Sequence, residues 1–89
     1  MNQALNTLSI IEDESYSLSE TTRHTVENYL EMLGDHDATF LYRQIMDEVE
    51  RPLLKVMMNH TNGNQSRTAA CLGINRATLR SKLKRHSII

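Results

Sequence analysis

This chain of 89 residues is poor in cross-links and in chain breakers, with one cysteine, one proline, three glycines and no tryptophan. A single cysteine, Cys71, excludes an intrachain disulfide, and His24, His36, His60 and His86 stand at no spacing that makes a zinc site. No run approaches the roughly 18 apolar residues of a membrane span, and no basic-then-apolar leader opens the chain. These absences predict a soluble, intracellular protein with no membrane and no metal. A chain of this length makes one domain at most and buries little surface alone. With disulfide and zinc excluded, a second chain is the remaining stabilising device.

Acidic residues are missing altogether from residues 51–89, which hold Arg51, Lys55, Arg67, Arg76, Arg80, Lys82, Lys84 and Arg85. The first fifty residues hold all 11 acidic side chains against Arg23 and Arg43 alone. The overall charge of −1 is therefore the sum of two large opposite terms. Such asymmetry predicts a polyanion-binding half joined to a half with another task.

There are no repeats, no low-complexity tracts and no alternating runs of strand length, so the pattern is all-α. Residues 1–16 show no helical period and read as a mobile arm. Ser17-Leu18-Ser19-Glu20 fits a capping box that opens a first helix. Leu18, Val26, Tyr29, Leu30, Met32 and Leu33 share one side of it, and Gly34 supplies the stop. Asp35-His36-Asp37 is a short polar connection.

A second helix is expected from about Thr39 to His60. Leu41, Ile45, Val49, Leu53, Val56 and Met57 form its main stripe, and Tyr42, Met46, Leu54 and Met58 widen it beyond the need of one small core. This helix should pack against more than one neighbour. Pro52 lies within it, and the apolar period stays in phase across the proline, which predicts a kink rather than a break.

Asn62-Gly63 ends that helix. A short third helix is expected over about Gln65–Leu72, with Ala69, Ala70 and Leu72 inward. Gly73 turns the chain, Ile74 points inward, and Asn75 caps a fourth helix that runs to about His86 with Leu79 and Leu83 buried. A short helix, a glycine turn and a second helix form the grammar of a helix-turn-helix. Ala69 must be small where the helices cross, and Gly73 must accept the turn's backbone angles.

The outward face of the fourth helix carries the chemistry. Asn75, Arg76 and Arg80 stand at its start, where a recognition helix reaches base edges. Arginine suits the paired acceptors of guanine and asparagine suits adenine. Asn64, Gln65, Ser66 and Arg67 offer side chains and free N–H groups to a phosphate at the start of the third helix. Thr78, Lys82, Lys84 and Arg85 are further phosphate partners.

The run GNQSRTAACLGINRATLRSKLK from Gly63 to Lys84 resembles the C-terminal segment of the Fis family (factor for inversion stimulation) of bacterial nucleoid proteins. The run from Glu48 to Leu54, proline included, resembles the same family, and the similarity extends over residues 18–86. The C-terminal part alone is shared with the DNA-binding ends of nitrogen-regulator-type activators. The resemblance implies a four-helix subunit whose first two helices, within residues 17–62, intertwine with a second copy. Residues 63–89 would then present a helix-turn-helix to double-stranded DNA. Leu30, Leu33, Leu41, Ile45, Val49, Leu53 and Met57 are the expected dimer interface.

The resemblance also implies DNA bending, chromosome compaction, transcriptional regulation and assistance to recombination, in the cytoplasm and nucleoid. Recombinase and RNA polymerase are implied as partners, and no cofactor is. It carries Asn75, Arg76 and Arg80 over as base contacts, and Asn64, Gln65, Ser66, Arg67, Thr78, Lys82 and Lys84 as backbone contacts. Ser81 stands where enteric relatives carry lysine and Ser66 where they carry threonine, which trims phosphate affinity. The arm is also shorter and lacks hairpin turn residues.

Cys71, set among Ala70, Leu72 and Ile74, reads as a buried small hydrophobe, and the histidines read as surface or capping residues. Asp35 and Asp37 lie in a loop with no pocket-forming sequence around them. Met46, Met57 and Met58 read as core or interface filler. No pattern points to an enzyme. Two rivals stay open on sequence grounds: a local repressor or detached activator domain, and a helical module whose basic tail binds an acidic protein.

Overall fold

The computed structural model describes residues 17–89, and all four helices expected from the sequence are present in it. Among the described residues there is no strand. The arm expected at residues 1–16 lies outside the described residues. The chain divides into two compact units, one up to Thr39 and one spanning Phe40–Ile89.

The first unit holds α1, Leu18–Leu33. The Ser17 hydroxyl accepts the Glu20 N–H at 3.1 Å, the capping contact that the sequence announces. Arg23 pairs with Glu20 in the first turn and with Glu27 one turn further on. Gly34 ends the helix with φ +58°. No residue of α1 is buried, and Leu18, Leu30 and Met32 are exposed.

The second unit holds α2 (Leu41–His60), α3 (Gln65–Leu72) and α4 (Arg76–Arg85). Helix α2 starts two residues later than expected. Phe40 adopts left-handed φ +58° at the cap position, so neither it nor Thr39 belongs to the helix. Pro52 lies within the continuous helix, as the unbroken apolar phase requires.

The core of this unit is small: Leu54, Ala69, Leu79 and Leu83 are buried, and Met58, Leu72, Ile74 and Ile88 pack against them. Leu54, from the widened stripe, is the residue of α2 that enters this core. Leu53 and Val56 of the main stripe remain 45 % and 66 % exposed. The broad apolar surface thus divides into a side that carries the helix-turn-helix and a side left to solvent. A buried hydroxyl pair, Thr61 and Thr68 with their oxygens 2.6 Å apart, joins the end of α2 to α3.

Two inward assignments on α3 need correction. Ala70 and Cys71 are exposed, and Thr68 takes the buried place beside Ala69. An eight-residue helix has room for one inward face, and residues 68, 69 and 72 occupy it. The turn after α3 closes with the Gly73 N–H on the Ala70 carbonyl (3.2 Å) and the Ile74 N–H on the Ala69 carbonyl (3.0 Å). Gly73 has φ +73°, and a methyl group added there would touch nothing within 4 Å. The demand for glycine is conformational and not one of space.

Removing the Leu83 side chain opens a cavity at the centre of this core. Leu83→Ala should cost roughly 2–5 kcal/mol of stability, read as a large fall in the thermal midpoint by circular dichroism. A cost within experimental error would show that α4 is held by something other than its two leucines.

Candidate nucleic-acid interface

Helix α4 has ten residues, of which Leu79 and Leu83 are fully buried. Burying this i, i+4 pair fixes the rotation of the helix and turns the rest outward. Arg76, Thr78, Arg80, Ser81 and Lys84 are all exposed. Arg76, Arg80 and Lys84 follow one another at one-turn intervals, so one flank presents three cations in a row.

The two asparagines assigned to this surface have a second duty. Asn75 Oδ1 accepts the Ala77 N–H at 2.7 Å and caps α4. Asn64 Oδ1 accepts the Arg67 N–H at 2.9 Å and caps α3. In each the acceptor oxygen serves its own helix, while the amide nitrogen carries two further donors. Ser66 and Arg67 are exposed beside the N-terminus of α3, where backbone N–H groups and the helix dipole favour an anion. Gln65 is half-buried, and its Oε1 accepts a long hydrogen bond of 3.5 Å from Arg80 Nη1. The two helices of the motif are thereby bridged across their outer edge, 15 positions apart in sequence.

Lys82 and Arg85 sit differently. Lys82 Nζ donates to Glu50 Oε2 at 2.7 Å. The Arg85 guanidinium forks onto Asp47, with Nη2 at 2.8 and 2.9 Å from the two oxygens and Nε at 3.1 Å. His86 completes the layer, its Nε2 2.9 Å from Glu50 Oε1. An ionised carboxylate only accepts, so Nε2 carries the hydrogen of that bond. His86 is 2 % exposed, so of the two expected roles, surface or capping, it takes the second: it is the C-cap of α4 and is buried there.

Asp47, Glu50 and His86 place ligand atoms within 4.8 Å of one another, but their positive complement is already supplied by Arg85 and Lys82. The layer thus reads as an ion-pair network rather than a metal centre. Sequence reasoning missed it by assigning the acidic and basic halves to separate tasks. The available signal was the spacing: carboxylates at i, i+3 on α2 facing bases at i, i+3 and i+4 on α4.

Partial burial by itself would raise the Glu50 carboxyl. The hydrogen bonds from Lys82 and then His86 outweigh it and hold the group below its ordinary 4.5. A carboxyl more acidic in the folded state stabilises the fold at every pH above its unfolded value. That contribution disappears as pH falls through the depressed folded value.

Two helices that hold an exposed basic helix across a glycine turn define a helix-turn-helix module. Comparison with known proteins gives the lineage. Residues 45–86 match the model described as bacterial regulatory protein, Fis family. The chain is 48 % identical over 71 residues to the DNA-binding protein Fis of Glaesserella parasuis serovar 5, covering 80 % of this chain and 72 % of that protein. It is 40 % identical over 86 residues to the DNA-binding protein Fis of Histophilus somni, covering 92 % and 88 %. With the DNA-binding protein Fis of Vibrio cholerae the identity is 44 % over 71 residues, covering 80 % and 72 %. The chain belongs to the Fis family. No helix among the described residues is long and apolar enough to cross a membrane.

The depressed Glu50 carboxyl sets a pH window. As pH falls through 4.5 and below, the wild type should lose thermal stability more steeply than Glu50→Gln, which is less stable at neutral pH but flatter on acidification. Parallel profiles for the two proteins would show that this carboxyl does not couple to folding.

Proposed function

We propose that the protein is a homodimeric DNA-binding and DNA-bending protein of the bacterial nucleoid and cytoplasm, acting as a transcriptional regulator of low sequence specificity. The observation that carries this reading is helix α4, whose two leucines are wholly buried while Arg76, Arg80 and Lys84 stand in line on the open side. The family description as regulatory proteins and the relatives' designation as DNA-binding support the choice of ligand and role. Membership of such a family points to a binding protein rather than an enzyme.

Asn75, Arg76 and Arg80 are the proposed base contacts. Only three such side chains per subunit keep specificity low, so sequence-dependent bending supplies much of the selection. Asn64, Gln65, Ser66, Arg67, Thr78 and Lys84 contact phosphates, and Lys82 and Arg85 join them by exchanging their carboxylates for phosphate oxygens. Residues 63–89 form the DNA-binding region and residues 17–62 the dimerisation helices.

The dimer is supported by the apolar surface that one chain leaves open: Tyr42, Leu53 and Val56 on α2, and Leu18, Leu30 and Met32 on α1. Leu30, Leu33, Leu41, Ile45, Val49, Leu53 and Met57 are proposed to line the interface. Ile45 is the one of these already buried within a single chain. Two-fold symmetry then predicts a loosely palindromic site. Recombinase and RNA polymerase are proposed as further partners.

Mobility shifts on circularly permuted fragments, with sedimentation of the free protein, test the reading directly. Sedimentation should show two chains, and mobility should vary with the position of the site. Monomers, or mobility independent of site position, would overturn dimerisation and bending respectively.

Two substitutions separate the proposed roles. Arg76→Ala should cost about 1–3 kcal/mol on preferred sites and relax sequence preference. Lys84→Ala should weaken all sites alike and lower the salt slope by about 1. Loss of the same sequences to the same degree in both would refute the division.

A further inference from the structure

The ionic layer between α2 and α4 is a charged cluster that DNA reading by α4 does not need. Glu50 and Asp47 hold Lys82 and Arg85 through short, well-aligned contacts, and one of the two pairs is bidentate. Lys82 is 34 % and Arg85 36 % exposed, so neither pair is sealed from solvent. Arg43, Asp47, Glu50, Lys82 and Arg85 share an open cleft of about 300 Å³. A competing anion can therefore reach either base without disturbing the leucine core.

A carboxylate and a phosphodiester offer these cations the same chemistry, an anionic pair of oxygens that accepts an ammonium or a forked guanidinium. Each base therefore has two anionic claimants: the carboxylate beside it and the duplex outside. Tyr42 and Arg43 from α2 and His86 at the C-cap of α4 are the other charged or titratable groups at the layer among the described residues.

We propose that Asp47 and Glu50 are positioning residues that compete with the DNA backbone for Arg85 and Lys82, lowering affinity for every sequence alike. The inference rests on the DNA-binding reading above. Because the two carboxylates act on backbone contacts alone, the discount falls on sequence-independent affinity and leaves base reading by Arg76 and Arg80 a larger share of the total. The layer thus keeps a protein with eight basic residues in its last 39 from being held wherever it lands.

The test uses the full chain with Asp47→Asn and Glu50→Gln, titrated by fluorescence anisotropy against a duplex of random sequence over a salt series. Each variant should bind several-fold tighter at low salt. The plot of log affinity against log salt should steepen by about 0.9 for each base released. Arg85→Ala should cancel the gain in Asp47→Asn, and Lys82→Ala the gain in Glu50→Gln. A merely structural role for the layer predicts the opposite sign, weaker binding in step with a lower thermal midpoint.

Unchanged slopes or weaker binding in both variants would overturn the competition. If Glu50→Gln fails to fold, Asp47→Asn decides, because the Asp47 side chain is 41 % exposed and lies outside the core. Wild-type binding with unresponsive variants sinks this inference alone. No binding by wild type or variants sinks the DNA reading, and the competition with it.

Discussion

Helix α4 is held by two leucines. Its other eight positions are polar, charged or small, so only Leu79 and Leu83 can be traded for burial. They fix the rotation of the helix about its axis, and Ala69 fixes how closely α3 passes beneath it. Leu54 on α2 supplies the floor. The basic flank is then a geometric remainder: once the leucines point inward, Arg76, Arg80 and Lys84 have nowhere else to point. The exposed basic flank and the core are two sides of one constraint on ten residues.

The acidic and basic parts of the chain are not segregated in space as they are in sequence. Asp47 and Glu50 come from the acidic half but stand against the basic helix, and they neutralise its C-terminal end while leaving its N-terminal end open. The positive field of α4 is therefore graded along its length. It is unopposed at Arg76 and Arg80 and largely satisfied at Lys82 and Arg85. The proposed base contacts Arg76 and Arg80 thus sit in different electrostatic surroundings from Lys82 and Arg85 on one short helix.

Local signals were legible in the sequence wherever a single residue carries the physics. Ser17 and Asn75 cap their helices as expected, because capping depends only on an oxygen and an N–H two or three residues away. Asn64 caps α3 by the same rule, although its expected role was phosphate contact alone. Gly73 and the Asn62-Gly63 pair end their helices for equally local reasons. The broad stripe on α2 was visible, but not that Leu54 rather than Leu53 enters the core, since one turn of helix separates neither from the apolar face. Ala70 and Cys71 looked buried by composition alone, yet α3 is too short to bury more than one side. The Glu50 network, whose partners lie 32 and 36 positions away, shows in the sequence only as matched i, i+3 spacing on two separate helices. The basic flank was legible through its spacing, whereas the Gln65–Arg80 bridge across the turn was not.

The double duty of Asn64 and Asn75 bears on how such a surface changes over generations. Replacing either to alter what the protein touches would also uncap a helix, at about 1 kcal/mol each, a large toll for so small a core. Thr78 and Ser81 are exposed and cap nothing, so they can drift without endangering the fold. Evolutionary retuning of preference is thereby channelled to the middle turn of α4, while the two helix entrances are kept in place by folding itself, whatever the ligand demands.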